Sequence, residues 1–183
     1  MKRIGLFLLL ALLPLKSLAQ KTAFSMNILE CAHLGTINGE ISYSLTQRWS
    51  VSAGLRYNPF TYNKGRYNQF QHRQISLSAG ARFWPWHTLS GWWFASKVRW
   101  QEYNFGGLFS KRTEEGDRIG AGIYSGYTHM LGPHFNIEFG GGFWTGVAVY
   151  TEYDCPRCGL TKDSGVKYFL LPDDFSISLV YVF

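Results

Sequence analysis

The stretch Trp49-Ser50-Val51-Ser52-Ala53-Gly54-Leu55-Arg56-Tyr57-Asn58 alternates without a break. In an extended chain successive side chains point to opposite faces. Trp49, Val51, Ala53, Leu55 and Tyr57 therefore share one face, and Ser50, Ser52, Gly54, Arg56 and Asn58 share the other. One face is large and apolar; the other is small and polar. The pattern returns at Gln74–Phe83, with Ile75, Leu77, Ala79, Ala81 and Phe83 against Gln74, Ser76, Ser78, Gly80 and Arg82. It returns again in Phe135, Ile137, Phe139, Gly141 and Phe143 against Asn136, Glu138, Gly140 and Gly142. The chain closes on it, with Phe175, Ile177, Leu179, Tyr181 and Phe183 around Ser176 and Ser178.

Four less regular stretches complete a set of eight strands: Ala23–Leu34, where Glu30 breaks the pattern, Gly39–Leu45, Gly91–Tyr103 and Arg118–Met130. The connections Leu45–Trp49, Trp84–Ser90 and Met130–His134 read as tight, with Pro85 and Gly132-Pro133 as breakers. Phe60–Gln71, Gly106–Asp117 and Thr151–Asp173 read as long polar loops, while Gly35–Gly39 is short. Tight turns at one end and long loops at the other are the arrangement of an outer-membrane barrel, whose long loops face outward. The expectation is an all-β fold: an eight-stranded antiparallel transmembrane β-barrel of the outer-membrane type.

The beginning of the chain agrees. Lys2 and Arg3 precede the apolar run Ile4–Leu15, and small residues follow at Ser17 and Ala19. This is the order of a secretory signal peptide, expected over residues 1–19, with the barrel over 20–183. The apolar run is shorter than the roughly 20 residues of a spanning helix. Removing Lys2, Arg3 and Lys16 from the 18 basic residues leaves 15 against 12 acidic ones, a formal +3. No basic run stands out, which argues against nucleic acid as a partner. With 20 Gly, 14 Phe, 11 Tyr and 7 Trp and only 16% charged residues, the composition suits a barrel with rings at both lipid interfaces.

Alternation alone does not say which face is inside. The small face does: Gly54, Gly80, Gly120, Gly122, Gly140 and Gly142 share it with Ser50, Ser52, Ser76 and Ser78. A soluble exterior of glycine and serine would be odd, whereas a narrow lumen needs small residues. The same face carries Glu40, Arg56, Arg82, Lys97, Arg99 and Glu138, expected to form a paired charge network inside. In lipid, closure also satisfies every backbone hydrogen bond. The terminal strand with Phe175, Ile177, Leu179, Tyr181 and Phe183 looks like the signal read by the bacterial barrel-assembly machinery.

Tyr57-Asn58-Pro59-Phe60, Arg82-Phe83-Trp84-Pro85-Trp86, Gln101-Glu102-Tyr103-Asn104 and Tyr153-Asp154-Cys155-Pro156-Arg157-Cys158-Gly159 occur in that order. In these segments the chain resembles a Bacteroidota outer-membrane β-barrel family catalogued as a domain of unknown function. The resemblance runs from about Asn27 to Phe183. It implies an outer-membrane location and supplies no activity.

Cys155 and Cys158 form a C-x-x-C pair without a thioredoxin-like setting or further metal ligands, so a loop disulfide is the expectation. Cys31 is left as an odd thiol. His33 and His72 fall near the outer rim, and His87, His129 and His134 near the tight turns; no triad is singled out. Loop residues Tyr62, Tyr67, Phe70 and Phe109 beside Lys64, Arg66, Lys111 and Arg112 suit an interfacial belt or contact with a glycan, a lipopolysaccharide phosphate or a protein. The expected function is a non-enzymatic structural or surface-interaction barrel without cofactor or metal. Its partners would be outer-membrane lipid and, during biogenesis, the assembly machinery. The alternatives are an enzyme modifying lipid A and a narrow pore.

Overall fold

A computed structural model of the chain describes residues 21–32, 34–64, 69–107, 112–154 and 160–183. The expected signal peptide, His33, Cys155 and Cys158 lie outside the described residues. The alternating stretches form β1 (Thr22–Asn27), β2 (Ile37–Ser44), β3 (Trp49–Asn58), β5 (Phe70–Phe83), β6 (Gly91–Gly106), β7 (Thr113–Met130), β8 (Phe135–Tyr153) and β9 (Thr161–Val182). A two-residue β4 (Thr61–Tyr62) adds to the end of β5, and a short helix α1 (Ile28–Ala32) follows β1. Each strand pairs antiparallel with its neighbours in the order β3-β2-β1-β9-β8-β7-β6-β5, and β3 also pairs with β5. The sheet thus closes into an eight-stranded antiparallel barrel.

Following the register round the wall from Val180 passes Ser25, Glu40, Gly54, Ser78, Arg99, Gly120 and Gly146. It returns to β9 at Phe169, not at Val180. This stagger tilts the strands and makes room for side chains inside. The two ends differ. At the terminal end, where Ala23 pairs with Val182, short hairpins join the strands. Toward the far end the strands lengthen from 10 residues in β3 to 22 in β9, so the β6–β9 side of the wall stands higher than the β1–β3 side.

The inward row is buried: Ser50, Ser52, Ser76, Arg82, Lys97, Arg99 and Glu138 among others. The outward row is apolar and bare, with Ile123 73% exposed, Ile119 64% and Val98 61%. Glycine on the inward row lets rings lie flat on the wall. A Cβ at Gly126 would stand 2.4 Å from the Trp93 ring, and one at Gly140 2.8 Å from it. The terminal end is closed by the connection between β5 and β6. Trp84 is fully buried there, its Nε1–H donates to Ser50 Oγ at 2.9 Å, and Thr88 N–H donates to Gln47 O at 2.9 Å.

Three expectations need correction. The first strand does not run from Ala23 to Leu34: β1 stops at Asn27, whose side-chain oxygen accepts from Leu29 N–H at 3.1 Å and caps α1. The β1–β2 connection is correspondingly longer than Gly35–Gly39, with positive φ at Leu34 and Gly35 completing its turn. Parts of the three expected loops are strand, most of all in Thr151–Asp173, because β5 begins at Phe70, β7 at Thr113 and β9 at Thr161. Polar cross-strand pairs hold these extensions, as in Gln71 to Asn104 at 2.6 Å and Asn104 to Glu115 at 2.9 Å.

Gly126→Ala drives a Cβ into the Trp93 ring and the Phe139 carbonyl, and is expected to cost about 1–3 kcal/mol by overpacking. Gly132→Ala, with open space around it, is expected to stay within about 0.5 kcal/mol of wild type. The guanidinium unfolding midpoints of the two variants check this.

Candidate functional site: the charged lumen

Six strands and α1 bring charge to the barrel axis. β2 contributes Glu40, β3 Arg56, β5 Arg82, β6 Lys97 and Arg99, β8 Glu138 and β9 Asp173; α1 contributes Glu30. Nearer the terminal end, Arg82 makes a forked pair with Glu138, Nη1 donating to Oε1 at 2.9 Å and to Oε2 at 3.0 Å. Its Nη2 donates to Glu40. Lys97 Nζ lies 2.7 Å from Glu40 Oε2, and Thr128 Oγ1 donates to Glu138 Oε2 at 3.0 Å. One step farther up, Asp173 accepts from Arg56 Nη1 at 3.1 Å, from Arg99, and from the Tyr124 hydroxyl at 3.0 Å. Arg56 Nη2 reaches Glu30 Oε1 at 2.9 Å.

Aromatic faces complete the cluster. Arg82 lies 4.7 Å from the centre of a Trp93 ring, Lys97 5.3 Å from that of Tyr124, and Arg99 5.2 Å from that of Trp144. In a low-dielectric interior such ring contacts and forked pairs offset part of the cost of desolvating the ions. The remaining space is a polar cavity of about 50 Å³ lined by Glu30, Glu40, Arg56, Arg82, Ser176 and Ser178 among others. That is room for a few water molecules and for little else.

All six charges expected from the sequence face this cluster. Asp173 and Glu30 were missed. Alternation alone leaves Asp173 at the end of a loop, because β9 carries one extra residue between the partners of Gly140 and Gly142, a bulge that shifts the alternation by one. Glu30 had shown only as a break in a strand pattern; in α1 it turns inward.

A second polar group sits beyond the apolar belt, where Glu102 and Asp117 point outward. Lys167 Nζ donates to both Glu114 oxygens at 2.7 Å, Tyr103 OH donates to Oε1 at 2.5 Å, and the Arg118 guanidinium stacks 3.7 Å from the Tyr103 ring centre. Burial pushes the Glu114 carboxyl up, but the Lys167 and Tyr103 hydrogen bonds and the Arg118 charge outweigh it and hold it below the usual range. The described histidines lie elsewhere. His72 stacks on Phe105 at the far end, and His134 Nδ1 lies 2.9 Å from Val182 O at the terminal end. Tyr62 stacks on Phe70 at 4.6 Å. Cys31 Sγ accepts from Asn38 Nδ2 at 3.4 Å. Phe175, Ile177, Leu179, Tyr181 and Phe183 all face outward, and Phe183 N–H donates to Thr22 O at 3.0 Å.

Glu138→Ala leaves the buried Arg82 short of its forked partner and is expected to cost about 3–5 kcal/mol. The double variant Arg82→Met/Glu138→Leu removes both charges and is expected to recover most of that loss. Denaturant midpoints of both variants measured alongside wild type check the pair.

Comparison with protein families matches residues 4–183 to DUF3575, described as a protein of unknown function. Comparisons with curated proteins and with solved structures find no match. With the match spanning nearly the whole chain, this barrel with ions inside and an apolar exterior is a member of the DUF3575 family of proteins of unknown function.

Proposed function

We propose that the protein is a non-enzymatic barrel of the bacterial outer membrane, exported by the signal peptide over residues 1–19, with a structural or surface-interaction role. The observation that carries this reading is the reversal of the usual water-soluble arrangement. Ions and small polar side chains fill the lumen, while the outer wall is an apolar belt. Trp49, Phe83, Trp92, Tyr127, Phe135 and Tyr181 point outward near the terminal end, and Tyr57, Trp100 and Phe143 on the opposite side of the belt. These are the two ring girdles that sit at lipid–water boundaries. Above the second girdle the outward row becomes charged at Arg73, Glu102 and Asp117.

Beyond that boundary β6–β9 continue as a raised sheet, which suits contact with a surface protein or glycan. In this oxidising location a Cys155–Cys158 disulfide would pin the tip between β8 and β9. The outward residues Phe175–Phe183 would be read by the assembly machinery, and outer-membrane lipid would surround the belt. A pore is the less favoured reading, because Trp84 and the ion pairs fill the lumen.

The test is topology in cells. The protein is expected in the outer-membrane fraction, and Ser164→Cys on the raised sheet is expected to react with a membrane-impermeant maleimide on intact cells. Recovery in the soluble fraction, or labelling only after permeabilisation, would overturn the proposal. Photo-crosslinking from position 164 in intact cells then asks whether the sheet has a partner.

A further inference from the structure

The barrel wall has one weak seam. β1 pairs with β9 only from Ala23↔Val182 to Asn27↔Ser178, and with β2 only from Thr22↔Tyr43 to Ser25↔Glu40. Among the described residues, β9 from Thr161 to Ile177 has no strand partner on that side, and Ile37–Gly39 of β2 have none toward β1. The strand register places the lower part of this seam inside the apolar belt, since Pro172 pairs with Phe143. The gap is filled by α1, which turns Ile28 and Leu29 outward and Glu30 inward.

A five-residue helix has little stability of its own, so contacts hold α1 in place. At its base, Asn27 N–H donates to Asn38 Oδ1 at 2.7 Å and Asn38 Nδ2 donates to Asn27 O at 2.9 Å. Across the lumen, Arg56 holds Glu30 of α1 with one nitrogen and Asp173 of β9 with another. One guanidinium therefore ties both lips of the seam. The tie to α1 is incomplete: Glu30 Oε2 is buried without a hydrogen-bond partner. Behind the seam lies the polar cavity, lined there by Asn27, Glu30, Asn38 and Ser176.

Moving α1 aside removes one carboxylate from Arg56 and leaves the lumen with a surplus positive charge, which a buried cation tolerates only with a new anion. The seam faces the belt, so the anion nearest to hand belongs to a lipid. We propose that the seam is a lateral binding site for a lipid with a net-negative headgroup, and that Glu30 is the tethered anion occupying Arg56 until the headgroup displaces it. The acyl chains stay outside, along Ile28, Leu29, Leu170 and Phe175, all exposed on the outer surface. The site rests on the membrane reading above.

The experiment places the full chain in phosphatidylcholine bilayers containing phosphatidylglycerol and counts phosphatidylglycerol retained per protein by mass spectrometry after detergent extraction. Glu30→Gln is expected to raise retention affinity on the order of tenfold by removing the internal competitor, and the double variant Glu30→Gln/Arg56→Gln to lose that gain. Each variant is first checked for the heat-dependent gel shift of a folded barrel. Glu30→Gln/Arg56→Lys, which keeps the cation, serves in place of that double variant should it not fold, and is expected to retain less lipid than Glu30→Gln because the ammonium lacks the guanidinium fork. Equal retention by wild type and a folded Glu30→Gln would overturn the site while leaving the membrane reading intact. Failure of the wild-type chain to enter bilayers would overturn both.

Discussion

Closure of the wall is the constraint on which the rest of the structure depends. A strand left with a bare edge must find another partner or meet solvent, and in hydrocarbon neither is available. Here neighbouring strands consume the edges from β2 through β3, β5, β6, β7 and β8 to β9, and α1 covers the stretch where the short β1 leaves β9 and β2 unpaired. The stagger that allows closure sets the bore, and the bore sets what can stand inside. Serine and glycine line it not because they stabilise strands but because larger side chains would not fit beside Trp93, Tyr124 and Trp144.

That narrow bore makes the ion pairs possible as well as necessary. Charges on β2, β3, β5, β6, β8 and β9 converge because all those strands point one face at one axis. Four cations and four carboxylates meet there among the described side chains. Such a cluster contributes little net stability compared with an apolar filling, yet removing one member is costly. Its value lies in register. A one-residue slip of any strand would turn its charge out of the lumen and into the apolar belt.

Most of the barrel was legible in the alternation itself. Trp49–Asn58 and Gln74–Phe83 read correctly because both of their edges are paired from Ser50 to Tyr57 and from Gln74 to Phe83, so nothing disturbs the period of two. The reading failed where a local feature overrode the period. The bulge near Asp173 reversed inside and outside on β9, and Asn27 capped a helix where a strand had been expected. It fails again at the far end, where polar stretches read as loop. Gln71, Asn104, Glu115 and Tyr153 are polar and yet lie in strands, because cross-strand hydrogen bonds serve there in place of apolar burial. The six charges of the lumen were visible one by one; that Arg56 links β9 to α1 was not, because the link depends on the bulge and on the cap together.

The central claim, that the greasy face of the wall meets hydrocarbon, is tested most directly by the unfolding free energy of Ile123→Arg in phospholipid bilayers. Ile123 is the midpoint of the outward row on β7 and is exposed on the outer face of the wall. The account predicts a loss of about 2–4 kcal/mol, the cost of an arginine facing the core of the bilayer. A change within about 0.5 kcal/mol, as for an exposed residue in water, would contradict it.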